Sequence, residues 1–381
     1  MATVTRVPPF YGTACLRHAS GAYLSMHEGR LCLQSNPFPL RIECFEGTRF
    51  YIASAVGREL AEYYGGVLKT APDSGYTEQH WQLYHLASGA ILIEHADSER
   101  FLGAEAGGEL SLLSTGSEQI LAFFLEDATL TPGLPYVEIL GREGLICLRM
   151  DPAVLTIVTP AWLGSWATAL EGAAHAMAEL TGWLPFGKIE VRAYTDCAAW
   201  GYVYREKPVI HVNRAAMAED LAKMHSRGAH DLSFGVLHEL SHLFDKECWM
   251  FDGEALANLK IPYALARLGA TAAPAEYPAD TTFDHATLLN ALYGLDGQLT
   301  EERGRFCSSL AARLIEIANA VGWAAVRYAF CGFPPLVGVD HMARLECFLS
   351  RLADASGNPT DAMLSPKEIE IVRKNLAKYD A

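Results

Sequence analysis

Phe234-Gly235-Val236-Leu237-His238-Glu239-Leu240-Ser241-His242-Leu243-Phe244-Asp245 is an apolar run with no proline and no glycine after Gly235, and it holds the pattern His-Glu-x-x-His. It is predicted to be a helix, with Asp231 or Ser233 placed to cap its start. At 3.6 residues per turn His238 and His242 share one face, one turn apart. Two imidazoles so spaced can bind one Zn²⁺ at about 2.0–2.1 Å each. Glu239 lies one step round the helix, too far from the histidine axis to be a natural ligand but able to reach water at the metal. That is the position of a general base.

A catalytic zinc takes a third protein ligand and keeps one position open. Glu254, in Trp249-Met250-Phe251-Asp252-Gly253-Glu254-Ala255-Leu256-Ala257-Asn258, is the leading candidate, at the start of a second helical run from Gly253 to about Lys260. Asn258 falls four residues later on the same face, where it can hydrogen-bond the outer nitrogen of a liganding histidine and fix its tautomer. Asp245, three residues past His242, can serve as such an outer carboxylate or as a rival ligand. Cys248 is the other rival.

The segment resembles the gluzincin metallopeptidases, in which two histidines of His-Glu-x-x-His and a downstream glutamate hold zinc. More narrowly it is similar to the enhancin-like, mucin-degrading branch, with its glutamate-to-asparagine helix. The resemblance spans residues 135 to 380; Ser241 replaces a glycine associated with that branch. Cys248 has the spacing used by another zinc-peptidase class, but that class has glycine where this chain has Asp245.

The resemblance implies an α+β zincin domain with a mostly helical C-terminal lobe, one zinc ion per chain, and a polypeptide or glycoprotein substrate. It also implies an exposed strand, Trp200-Gly201-Tyr202-Val203, that pairs with an extended substrate. Tyr202 or Tyr204 is expected to stabilise the oxyanion, with Tyr263 a third candidate. His285, His341 and Tyr293 lie in the helical lobe, and the sequence does not choose among them.

The chain has 381 residues, half of them hydrophobic, enough for two or three cores. Its net charge of -15 disfavours nucleic acid and anionic membranes as partners. The acidity is spread out, since residues 1–128 hold eight Lys/Arg against fifteen Asp/Glu. Nine scattered cysteines, never in Cys-x-x-Cys, read as free thiols. The opening Met-Ala-Thr-Val-Thr-Arg-Val-Pro-Pro-Phe has no apolar core of a signal peptide and no stretch is long enough to span a membrane. The expectation is a cytoplasmic protein, with leaderless release left open.

Residues 12–128 carry a weak threefold repeat. Gly29, Gly66 and Gly108 are each followed two residues later by Leu31, Leu68 and Leu110, and preceded by Leu24, Leu60 and Leu102. Short alternating strands, glycine turns and a repeat of roughly forty residues predict a β-trefoil. Its Tyr23-Leu24-Ser25 and Phe101-Leu102-Gly103 turns resemble the fascin-like branch.

The expected organisation is a trefoil over 1–128, a linker over 129–135, a lobe with the histidine helix over 136–250, and a helical lobe over 251–381. Strands are expected at Gly144–Met150 and Val154–Val158, and a helix at Ala161–Leu180. The expected activity is zinc-dependent peptide hydrolysis with Glu239 as base. The alternative is a non-catalytic protein whose trefoil binds a glycan or protein beside a structural zinc domain.

Overall fold

The computed structural model describes the chain except residues 1–4, 47, 56–58, 73–76, 106–107, 196–198, 204–206, 226–230, 274–280, 294–297, 303, 337, 361–362 and 381, and the side chains of Glu46, Pro72, Asn290, Ala291 and Tyr293. It is a mixed α/β protein with a β-rich N-terminal region and a helical C-terminal part. The chain divides into two compact units, Met1–Val137 and Glu138–Thr195 with Ala199–Ala381.

The first unit holds β1 (Thr5–Arg6), β2 (Phe10–His18), β3 (Tyr23–His27), β4 (Arg30–Gln34), β5 (Pro39–Glu46), β6 (Arg49–Ser54), β7 (Glu59–Tyr64), β8 (Val67–Pro72), β9 (Trp81–His85), β10 (Ile91–His95), β11 (Arg100–Ala104), β12 (Leu110–Leu113) and β13 (Ala122–Pro132). Strands β9, β10, β13, β2, β5 and β6 pair in that order, and a β6–β9 pairing closes the ring. Hairpins β3–β4, β7–β8 and β11–β12 stand off it. The three repeat glycines, Gly29, Gly66 and Gly108, sit at the turns of these hairpins with φ of 75°, 87° and 82°, a left-handed conformation that a Cβ disfavours. Leu16, Ile42, Phe50, Trp81, Ile91 and Phe123 fill the interior.

The stretch 129–135, expected as a linker, is largely strand. Thr129, Leu130, Thr131 and Pro132 pair with Thr13, Gly12, Tyr11 and Phe10. The reason is its Thr-Leu-Thr alternation, which suits a half-buried strand, while Pro132 ends the ladder where a missing N–H costs least.

The second unit is built on a five-stranded sheet ordered β14 (Val137–Leu140), β15 (Ile146–Met150), β16 (Ile189–Ala193), β18 (Val209–Val212), β17 (Gly201–Val203). Strands β15, β16 and β18 run parallel; β17 is antiparallel to β18 and has no other partner among the described residues. Val154–Val158, expected as a strand, lies in a 3-10 turn, because Pro152 fixes the turn's start and the Asp151 carboxylate accepts the Ala153 N–H at 2.8 Å.

Helix α1 (Pro160–Thr181) begins at a Thr159 cap and ends at Gly182 with φ 79°. After α2 (Arg214–His225) and the short strand β19 (Asp231–Ser233) come α3 (Phe234–His242) and α4 (Gly253–Leu268), and then β20 (Thr271–Ala273), parallel to β19. Helix α4 runs eight residues past the expected Lys260, through Pro262, and packs on α1 and α3. The remainder is helical: α5 (Leu288–Tyr293), α6 (Phe306–Val321), α7 (Trp323–Cys331), α8 (His341–Ser356) and α9 (Pro366–Leu376). Helix α9 starts with the Ser365–Glu368 capping box that its sequence predicts. Among the described residues no single helix is long and apolar enough to cross a membrane, and the eight described cysteines are free thiols.

Candidate metal centre

Helix α3 starts where Ser233, not Asp231, caps it: the Ser233 hydroxyl accepts the Val236 N–H at 3.3 Å and donates to Asp220 at 2.6 Å. Asp231 instead accepts the Thr271 hydroxyl at 2.9 Å. The helix turns His238 and His242 to one side, their rings 4.8 Å apart and nearly perpendicular. Helix α4 starts at the Asp252 cap, whose carboxylate accepts the Ala255 N–H at 2.9 Å. It crosses α3 tightly enough that Ser241 donates to the Ala257 carbonyl at 2.8 Å. A small hydroxyl at 241 thus supplies a bond between helices that glycine would lack.

The crossing brings three ligand atoms together. His238 Nε2 lies 2.9 Å from Glu254 Oε2 and 3.2 Å from His242 Nε2, and His242 Nε2 lies 3.5 Å from Glu254 Oε1. With one ligand atom taken from each residue, all three lie within 4.8 Å of one another, close enough to share one metal ion. His238, His242 and Glu254 form the metal-competent group among the described residues.

The outer nitrogens point the same way. His238 Nδ1 donates to Asn258 Oδ1 at 2.8 Å, so its Nε2 carries a lone pair that faces a carboxylate, an arrangement that calls for a proton or a cation between them. His242 Nδ1 lies 3.6 Å from Asp245 Oδ2. The other oxygen of Asp245 holds Lys260 Nζ at 2.5 Å, with both side chains fully buried.

Burial disfavours charge on His238, yet Glu254 and Glu239 outweigh it and raise its pKa; the His238 hydrogen bond lowers that of Glu254. Burial raises the pKa of Glu239, against the pull of the two histidines.

Strand β17 passes over this helix. A Cβ on Gly201 would stand 3.3 Å from Glu239 Cγ and 3.7 Å from its Oε1, so the strand's backbone runs close above the proposed base. Trp200 covers the first turn of α3, where a Cβ on Gly235 would meet its ring at 2.3 Å. Val203 shares the face of Gly201 by strand alternation.

Tyr202 does not. It points to the opposite face and stacks on His211 of β18, with ring centroids 4.7 Å apart and planes 7° from parallel. Its expected oxyanion role is therefore corrected: a period of two sends it away from Glu239. His211 itself is neutral, its pKa pushed down to about 3 by burial and then by Arg192 and Lys207.

Tyr204 and the Tyr293 side chain lie outside the described residues. Tyr263 packs against Trp323 with ring centroids 5.5 Å apart. His341 pairs with Asp380 at 2.5 Å, His285 is exposed, and Cys248 sits on a separate 3-10 turn; none of these joins the metal-competent group. Sequence reasoning missed Lys260. The available signal was its setting, Leu259-Lys260-Ile261-Pro262, where a lone ammonium on a buried apolar helix needs an anion.

No family model and no curated protein matches the chain. Among solved structures it is similar to the cytolethal distending toxin of Actinobacillus actinomycetemcomitans, at 17% identity over 32% of this chain and 95% of that one, TM-score 0.28. It is also similar to the designed threefold-symmetric protein ThreeFoil, at 15% identity over 31% and 99%, TM-score 0.28, and to the BEL β-trefoil, at 11% over 30% and 92%, TM-score 0.28. Likenesses this weak, each covering about a third of the chain, decide nothing about the metal centre.

Proposed function

We propose that the second unit is a zinc metallopeptidase of gluzincin type, with His238, His242 and Glu254 as ligands and Glu239 as general base. The convergence of two Nε2 atoms and a carboxylate within 3.5 Å of one another, beside a buried glutamate, is the observation that carries this reading. A bound zinc ion supplies Lewis acidity, making water more acidic and a carbonyl more electrophilic. Glu239 takes the proton from the attacking water and returns it to the leaving amine. Asn258 holds the tautomer of His238. The backbone of Gly201–Val203, which runs close to Glu239, is the segment that would line an extended polypeptide at the metal centre. The substrate class is a polypeptide or glycoprotein.

For the first unit we propose a fascin-like β-trefoil that recruits substrate through a glycan or protein contact; the closed six-strand ring and its three hairpins support it. Glu239→Gln tests the enzyme reading, because it keeps side-chain shape and removes the basic carboxylate. Zinc content and melting temperature should stay near wild type while hydrolysis of an unstructured protein falls about 10²–10⁴-fold. An unchanged rate at unchanged zinc removes the mechanism. No cleavage by the wild type across peptides and glycoproteins favours a trefoil binding protein with a structural metal.

A further inference from the structure

His238 and His242 are served by different chemistry on their outer sides. His238 meets the neutral amide of Asn258 at hydrogen-bond length. His242 meets Asp245 Oδ2, a buried carboxylate oxygen with no hydrogen-bond partner among the described residues, at 3.6 Å. The same carboxylate is gripped at 2.5 Å by Lys260, and neither side chain has any exposed surface. Burying an ion pair this completely costs several kcal/mol per ion in desolvation, and an apolar pair of similar volume is often at least as stable. Stability alone is therefore a poor reason for a lysine in the middle of an apolar helix.

Geometry supplies a better one. Asp245 lies three residues past His242, just beyond the end of α3, while Lys260 comes from α4, the helix that also carries Glu254 and Asn258. We propose that the Lys260–Asp245 pair is a positioning device for His242: Lys260 pins one carboxylate oxygen so that the other is aimed at Nδ1–H, which leaves Nε2 free to bind metal. Helix α4 then supplies one ligand and orients both histidines, His238 through Asn258 directly and His242 through the ion pair. Outer partners of this kind are worth about 10–100-fold in metal affinity.

The inference rests on the zinc reading above. It is tested on the full chain by competing zinc against a chelator and by recording the Nδ1–H proton resonances of both histidines in the zinc-loaded protein. Lys260→Met keeps all but the last atom of the side chain's length and removes the charge. The expected result is zinc binding weakened about 10–100-fold, with the His242 resonance moved and that of His238 in place. Since Asn258 and Lys260 share a helix, a merely structural disturbance of α4 would move both.

Where Lys260→Met does not fold, the double variant Asp245→Asn/Lys260→Met, which buries no charge, carries the same test with the same expectation. Wild-type zinc affinity with an unmoved His242 resonance in either folded variant overturns the proposal, as does a joint shift of both histidines. A wild-type protein that binds no zinc removes the metal reading together with it.

Discussion

The β unit closes around Leu16, Ile42, Phe50, Trp81 and Phe123, whereas the crossing of α3 and α4 buries, beside Leu237, Leu240 and Leu256, the polar Asn258, Asp245 and Lys260. Apolar burial is non-directional and roughly proportional to area, so many side chains of similar size fill such an interior. A buried polar crossing works only when every partner is in place. The first unit should therefore answer to lost volume, and the second to single lost atoms.

Glu254→Ala draws that contrast most sharply. Removing a ligand should cost zinc more than the roughly 100-fold at the upper end for losing an outer partner, while Cys248→Ala leaves affinity unchanged. Chelator competition on both variants checks this, and zinc loss from the cysteine variant would reassign the third ligand. In the β unit, Trp81→Ala should cost about 3–5 kcal/mol, since it empties the largest core site and frees the Ala61 carbonyl to which the indole donates at 3.0 Å. Urea unfolding followed by circular dichroism reads that cost. Zinc affinity should not move; if it falls, the two units do not respond separately.

Asp220 gives the second unit a pH dependence. Burial raises its pKa from 3.8 to about 6, against the Ser233 hydrogen bond, so between those values the folded chain holds a proton that the unfolded chain has released. Stability should fall as pH rises through that window, by at most about 3 kcal/mol, and this contribution should be flat above it. Asp220→Asn should remove that slope in urea midpoints taken from pH 4.5 to 7.5; an unchanged slope would place it elsewhere. The smallest effect is expected of Gly235→Ala, whose Cβ meets the Trp200 ring at 2.3 Å and should cost about 1–3 kcal/mol. The same substitution made on Trp200→Ala should cost much less, and an equal cost in both backgrounds would mean that the indole is not the obstacle.

What could be read from the sequence follows the same division. The hairpin glycines and their flanking leucines announce themselves because each acts locally, through one φ angle or one buried side chain. The histidine pair and the Glu254–Asn258 pair were legible for the same reason, as each is a spacing within one helix. Lys260 was not, because its partner is fifteen residues away on another element and only the crossing of α3 and α4 unites them. Which face Tyr202 takes was not legible, because only its register opposite His211 on β18 decides it. The prolines and glycine of 129–135 read locally as a linker, whereas its pairing with β2 is set by a strand more than a hundred residues earlier.

The β6–β9 pairing that closes the ring of the first unit bears on how that unit behaves at high concentration. Closure gives each of the six ring strands a neighbour on both sides. Unpaired edges are where sheets grow into aggregates, so the ring presents no rim of its own on which the strand of another molecule could template.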